Sequence, residues 1–416
     1  MISWPQPEPI AAAEGDHPAL AWRRAGLLAI TGNADGPARI CPAAITSAAD
    51  AALAALRSIA DAPGCLPRSG AALLGERARR LGLRRGGRRS ANGSCRLYDT
   101  ADGRIALNLA RPDDIGLLAA WLEDAQVVSE HALAAALSSR ATRGLLQRGR
   151  VLGLPIAEDR PATPCAPWSI EQRGGAARAG RPLAVDLSSL WAGPLAASLL
   201  GMAGAEIIKV ESVARPDGAR RGDAGFFDLL NAGKASVALD FASEAGRAAL
   251  RRLIARADIV IEGSRPRALA QLGVRAAEEV TRGAIWVSIT AHGRFGTAAD
   301  RVGFGDDAGV EAGLCDAMAR AWGGPIFAGD ALADPLAGLH AALAAWRCWR
   351  DGQGALISVP LAQSLRAVLA RHGVDAAEAA RWQRRAEADR APLYPQRLAA
   401  RRARPLGADN SWALPC

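Results

Sequence analysis

RPLAVDLSSLWAGPLAASLLGMAGAEIIKVE, residues 181–211, is the stretch whose reading decides the fold. PLAVDLS (Pro182 to Ser188) is a short apolar run of strand length. AGPLAASLLGMAG (Ala192 to Gly204) opens on a Gly-Pro turn and offers Leu195, Leu199, Leu200 and Met202 for the buried side of a helix. AEIIKVE is a second strand and ASVALDF a third. SEAGRAALRRLIARA (Ser243 to Ala257) starts with a Ser cap and an acid in its first turn, and sets Leu250, Leu253 and Ile254 at helical spacing. DIVIEG, RALAQLGV and AIWVSITAHG continue as strand, short helix and strand. The alternation predicts an α/β fold, an open Rossmann-like parallel sheet built through right-handed crossovers. Ligands of such sheets sit at the carboxyl ends of the strands.

Outward from this core, residues 151–180 are rich in Pro, Gly and charge and read as a linker between a region 1–150 and a large domain 181–416. TADGRIALNLARPDDIGLLAAWLEDA, in the first region, reads as strand, turn and helix of a smaller α+β domain. The chain also echoes itself. DAALAALR (Asp50 to Arg57) resembles HAALAAWR (His340 to Arg347). Each follows a Gly-Leu (Gly26-Leu27, Gly313-Leu314) and a Gly-Pro (Gly36-Pro37, Gly324-Pro325), an order that favours partial duplication.

Half of the 416 residues are apolar and 22% are charged, the balance of a folded globular chain. No apolar run reaches the roughly 18 residues that span a bilayer, so no membrane partner is expected. The first twenty residues lack a basic segment followed by an apolar core, so no secretory signal is expected. Seven scattered Cys without a CxxC pair fit reduced thiols, hence a cytoplasmic protein, and neither they nor the five His show metal-site spacing. The net charge of +9 comes without aromatic interleaving or a nucleic-acid motif; an anionic small molecule is the better partner. Only two of the 51 cations are Lys, Lys209 and Lys234, both in the α/β stretch. Lys is a compact point charge often set against phosphate, though a strand-end Lys is as commonly just solvated.

The ordered blocks VDLSSLWAGPLAASLLGMAGAEIIKVE, FFDLLNAGKASVALDF, ADIVIEGSRPRALAQLGV, IWVSITAHGRFG and ADPLAGLHAAL resemble the family III coenzyme A transferases, the CaiB/BaiF group. That group holds formyl-CoA and carnitine-type CoA transferases and α-methylacyl-CoA racemases. The resemblance covers roughly residues 181–360. Gly86 to Asp114 is similar to the family's small domain, which normally follows the nucleophile, and Arg401 to Leu414 to its closing segment. The resemblance therefore implies a rearranged chain. Region 1–150 is the back portion of one copy, with the small α+β domain; 181–416 is a CoA-binding catalytic domain. The first copy reads CPAAITSAAD where a nucleophile belongs, with Ala44 or Thr46 at the aligned position, and should be inactive.

By resemblance, Asp334 in ADPLAGLH is the catalytic nucleophile, although by residue pattern alone it serves equally as an N-cap or first-turn aspartate. The implied activity moves CoA from an acyl-CoA to a carboxylic acid through an aspartyl mixed anhydride and an aspartyl-CoA thioester. The implied CoA site comprises Trp191 and Ala192 beside the CoA arm, cations Lys209, Arg215, Lys234 and Arg265 for the phosphates, Asn231 fixing a loop, and Gly263 and Ser264 at the adenine. No metal is implied. Gly338 permits a close approach, either to the reacting oxygen or between helices. The Gly86-Gly87 pair resembles the start of the family's glycine-rich loop, with Arg88 and Arg89 atypical there. His340, six residues beyond Asp334, is off the nucleophile's face.

Two other functions stay in view: a catalytically silent acyl-CoA-binding relative, and an acyl-CoA racemase or isomerase. The racemase segment has no His here (Arg301 to Leu314, with Asp306 and Asp307 instead), leaving only His292 in the preceding loop. An unrelated nucleotide oxidoreductase is disfavoured because LSSLWAGPLAAS lacks GxGxxG. The linker is long enough for the site to close within one chain or across two, and a homodimer is expected because apolar helices need covering.

Overall fold

A computed structural model gives the structure of the chain and describes residues 15–124 and 129–414. Most of the N-terminal stretch read for a secretory signal, and Cys416, lie outside the described residues. Among the described residues ten strands form two sheets. The small one is antiparallel, ordered β1 (Cys95–Asp99), β2 (Arg104–Asn108), β3 (Ile156–Glu158). The large one has seven strands. They are β4 (Ser169–Ala176), β5 (Leu183–Leu187), β6 (Glu206–Ser212), β7 (Ala235–Leu239), β8 (Ile259–Glu262), β9 (Ile285–Thr290) and β10 (Gln353–Pro360). Their spatial order is β4-β10-β9-β8-β5-β6-β7. Every pair is parallel except β10 with β4. The protein is therefore α/β, with a mostly parallel mixed sheet and a small antiparallel one.

The expected linker 151–180 is in fact split between the sheets: β3 completes the small sheet and β4 edges the large one. β4 is half-exposed along its length, so SIEQRGGA shows no alternation to read. Its Gly174 is demanded by packing, since a Cβ there would lie 1.7 Å from the Val280 carbonyl oxygen. The other edge is covered by the C-terminal segment. Asn410 matches both polar groups of Ala238 in β7, accepting from its N–H and donating to its carbonyl, each at 2.9 Å. That pairing satisfies an edge that would otherwise invite another strand.

One face of the large sheet is covered by helices that bury Leu250, Leu253, Ile254 and Val280. The other meets the long helix Ala333–Arg350, packed between Ala192–Ala203 and Ile45–Ile59. The two echoing segments thus lie on helices in direct contact. Gly26 and Gly313, the paired glycines of that echo, both adopt left-handed backbone (φ 84° and 101°). The helices of the first eighty residues share one apolar core with the large sheet, Leu53, Leu56 and Leu73 joining Leu336, Leu339 and Leu343. The small sheet and its helices keep a separate core around Ile105, Trp121 and Ile156. Among the described residues no helix is long and apolar enough to cross a membrane, and Cys41, Cys65, Cys95, Cys165, Cys315 and Cys348 are free thiols.

Candidate active site

Asp334 is the second residue of the Ala333–Arg350 helix and keeps part of its surface open to solvent. Its N–H donates to the Ala331 carbonyl at 2.9 Å. Ala331 itself has left-handed backbone, φ 44°, a strained state for a residue with a Cβ. The carboxylate lies against the N-terminus of helix Gly305–Ala312. A Cβ on Gly305 would come 2.0 Å from Asp334 Oδ2, so only glycine leaves room for the carboxylate there. Burial pushes the Asp334 carboxyl up to about 7; Arg77 and the Gly305 N–H draw it down, while Asp306 and Asp330 push it further up.

Around it stand groups from the other end of the chain. Arg77, on helix Gly70–Leu81, grips the buried Asp330 with two bonds, Nε to Oδ2 at 2.7 Å and Nη2 to Oδ1 at 2.6 Å. The same guanidinium stacks over Trp191, 4.4 Å from the ring centroid. Trp191 is 2% exposed and meets Phe226 edge-on at 5.3 Å. Asn92 Nδ2 donates to Asp306 Oδ2 at 2.6 Å and to Asp330 Oδ1 at 3.3 Å. Asn108, at the end of β2, donates to Asp307 Oδ1 at 2.8 Å. Burial, with the Asp330 charge adding to it, pushes Asp306 up to about 6, and burial pushes Asp307 up to about 7. Arg77, Asn92 and Asn108 all come from the first 110 residues of the same chain as Asp334.

A cleft of about 1330 Å³ opens between the helix Thr142–Val151 and the loops after β6, β8 and β9. Arg143 and Arg150 line one wall and Arg215, Arg265, Arg267 and Arg301 the other. From Arg301 and Val302 in that wall, the chain runs past Gly303, which lies against Asp307, to Gly305 beside the Asp334 carboxylate. The cleft is large enough for a nucleotide-sized ligand. Five carboxylates, Asp102, Asp113, Asp114, Glu158 and Asp300, also line it, but its seven arginines outnumber them, a balance that suits phosphate.

The structure distributes the expected CoA-site residues over three places. Arg215 and Arg265 line the cleft, and Trp191 lies under Arg77, whose charge acts on Asp334. Ala192 is buried at the start of its helix. Gly263 backs onto Ser188, with space for a Cβ only at 3.5 Å from it, and Ser264 Oγ lies 3.5 Å from Glu262. Lys209, Lys234 and Asn231 point inward. Lys234 Nζ contacts Asp186 Oδ2 at 2.8 Å, the Pro194 carbonyl at 2.9 Å and Asn231 Oδ1 at 3.0 Å. Lys209 Nζ contacts the Ser188 carbonyl at 2.9 Å and Asp217 Oδ2 at 3.0 Å. Both ammonium groups are thus held by carboxylates buried under the strand ends. Gly338 packs helix on helix: a Cβ there would sit 2.7 Å from the Ala192 carbonyl oxygen. His340 packs on Trp168 with ring centroids 5.3 Å apart and planes tilted by 47°, and burial pushes it down to about 3, so it stays neutral. Gly87 has left-handed backbone and accepts the Phe327 N–H, while Arg88 and Arg89 pair with Asp99 and Glu130. Sequence reading missed Arg77, Asn92, Asn108 and Asp330. No cluster of three or more His, Cys, Asp or Glu suited to a metal occurs among the described residues.

Residues 183–399 match CoA-transferase family III, and the chain belongs to that family, the CaiB/BaiF group. It is similar to an acyl-CoA transferase of Fusarium pseudograminearum, 30% identical over 48% of this chain and 49% of the relative. A succinyl-CoA–D-citramalate CoA-transferase of Chloroflexus aurantiacus is 30% identical over 46% of this chain and 52% of its own. A CaiB/BaiF family protein from Brucella suis, known by its crystal structure, is 31% identical over 45% of this chain and 54% of that one, with a TM-score of 0.42. The chain spans about half the length of the curated relatives it matches.

Proposed function

We propose that this chain is a CoA transferase that moves CoA between an acyl-CoA donor and a carboxylic acid, with Asp334 as nucleophile. The observation that carries the reading is the partly open Asp334 carboxylate, set on the N-terminal amide of one helix and beside the Arg77 guanidinium. Asp334 attacks the donor thioester carbonyl and CoA leaves as thiolate, giving a mixed anhydride. The thiolate attacks the aspartyl carbonyl, releasing the donor acid and leaving an aspartyl-CoA thioester. An acceptor carboxylate then attacks that thioester, and the returning thiolate takes the new acyl group and frees Asp334. Each tetrahedral oxyanion forms near the N–H groups that open the Gly305–Ala312 helix. Keeping both halves of the exchange on one side chain protects the activated acyl group from hydrolysis while water is excluded.

CoA binds in the arginine cleft, its phosphates met by Arg215 and Arg265 and by arginines of the facing helix. Because Arg77, Asn92 and Asn108 reach the site from the same chain, a homodimer is not needed to complete it. The succinyl-CoA-named relatives make succinyl-CoA the first donor to try. The test is mass spectrometry after mixing the protein with succinyl-CoA. A CoA-sized adduct on the peptide holding Asp334, discharged by an acceptor acid, is the expected result. Binding of the thioester with no adduct would make the protein a silent acyl-CoA binder. A second expectation concerns the cleft. Arg215→Glu with Arg265→Glu should raise KM for succinyl-CoA tenfold or more, kcat falling less, and should flatten the salt dependence of binding. The same variant should handle a succinyl-pantetheine thioester, which has no phosphates, as wild type does. An unchanged KM for succinyl-CoA would remove the cleft from the reading.

A further inference from the structure

The turn that presents Asp334 is held in part by the first hundred residues, outside the part of the chain that matches the family. Asp330, fully buried, is held by Arg77 from the Gly70–Leu81 helix and by Asn92. The next-door Gly329 N–H donates to Thr31 Oγ1 at 3.0 Å. Ala331, strained at φ 44°, is tied by its N–H to Asp306 Oδ1 at 3.0 Å. Asp306 is in turn tied to Asn92 at 2.6 Å. The strain is thus retained by bonds on both sides of it.

The charges in this space are unbalanced. Asp334 faces Asp306 from the Gly305–Ala312 helix, Asp330 from its own turn and Arg77 from the N-terminal helix, with the Gly305 N–H beside it. Three carboxylates therefore share one guanidinium. Arg77 is doubly anchored, by the Asp330 fork and by the Trp191 face, so its plane cannot swing away when substrate enters. Its side chain still keeps 22% of its surface, so it borders the open side of the site.

We propose that Arg77 is a positioning residue for the nucleophile: clamped between Asp330 and Trp191, it holds the turn before Asp334 and favours the ionised form of that carboxylate. The N-terminal region, by this means, sets the pH range in which the site works. The inference rests on the nucleophile assigned above, but its main test reads the carboxyl directly and does not require turnover.

The experiment is carbon-13 NMR of the full chain labelled at the aspartate carboxyl groups, the Asp334 signal being the one lost in Asp334→Asn. Arg77→Met should move the Asp334 midpoint upward by about one unit or more, the low end of what a neighbouring Arg contributes. Arg77→Lys should return most of that shift, because it restores the charge without the fork. Asp330→Asn should move the midpoint downward, since it removes a like charge and leaves the cation in place. Loss of a merely structural contact has no reason to produce shifts of opposite sign. In turnover, the acid limb of kcat/KM should follow each midpoint while KM for succinyl-CoA stays within about threefold. An Asp334 midpoint unmoved by Arg77→Met, or Arg77→Lys behaving like Arg77→Met, overturns the proposal. Should Arg77→Met not fold, Asp330→Asn decides: a lowered midpoint supports it and an unmoved one overturns it. Midpoints that shift as stated in a protein forming no Asp334 adduct would keep this inference and defeat the transferase reading.

Discussion

Asp334→Asn is expected to abolish CoA exchange, by at least about a thousandfold, while the chain folds and still binds CoA. The amide keeps the size and most of the hydrogen bonding of the carboxyl but cannot form the anhydride. Loss of a covalent nucleophile costs far more than the tenfold that about 1.4 kcal/mol represents. Exchange within tenfold of wild type would end the assignment. The same residue fixes a pH signature. Only the ionised form attacks, and burial holds this carboxyl up at about 7 against its ordinary 3.8. Wild-type exchange should therefore rise with pH through about 7 and fall tenfold per unit below it.

Stability should run the other way. A carboxyl whose folded pKa is raised binds its proton more tightly in the folded state. Its contribution is fully present below about 4 and is lost as pH rises through about 7. Asn carries no such charge, so Asp334→Asn should melt higher than wild type at pH 8, with the gap closing towards pH 4. A dead variant that melts lower at pH 8 would point to damage to the fold and not to a lost nucleophile. Such a loss of stability is the usual compromise where a carboxylate is placed for catalysis.

The sequence made β5 to β9 legible because each is a short apolar run set off by glycine, serine or charge, and the helices between them carry caps and helical spacing. β4 was not legible: an antiparallel edge strand half-exposed on both faces has no periodicity. Asp334 could be singled out only through family resemblance, since a first-turn aspartate looks the same with or without a substrate. Arg77 lay out of reach for a different reason. It stands in GERARRLGLRRGGRR among arginines of identical chemistry, and its partner Asp330 is 253 positions away. Asn92 and Asn108 are likewise ordinary until the fold brings them to Asp306 and Asp307. The lysines were conspicuous as residue types, but their direction was not encoded locally. It depends on carboxylates that the sheet buries beneath them.

That burial sets up the second large effect: Lys234→Met should destabilise the protein by about 3–5 kcal/mol. Lys234 is 3% exposed and Asp186 is fully buried. Burial draws the Lys234 ammonium down to about 8 even with Asp186 beside it, while Asp186, against the pull of its own burial, is held down at about 2 by Lys234 and Lys209. Taking away one partner leaves a buried carboxylate with less than its full compensation, and strips the Pro194 carbonyl and Asn231 of a donor. Lys234→Arg should not rescue it. A compact ammonium with three donors meets three acceptors in different directions, whereas a planar guanidinium cannot reach all three from the same stem. This is a physical reason for two lysines to persist among so many arginines. Adding Asp186→Leu to Lys234→Met should recover part of the loss, because a pair replaced on both sides leaves no charge stranded. The site should suffer along with the core. Pro194 lies in the first turn of the helix that Trp191 caps, and Lys209 with Asp217 holds the Ser188–Leu190 turn, where Leu190 is strained at φ 69°. Slackening that turn loosens the indole on which Arg77 rests. Urea unfolding of wild type, both single variants and the double variant is the measurement. A Lys234→Met loss below about 1 kcal/mol would show that the ammonium contributes little to folding, and would return Lys234 to the candidates for contact with substrate.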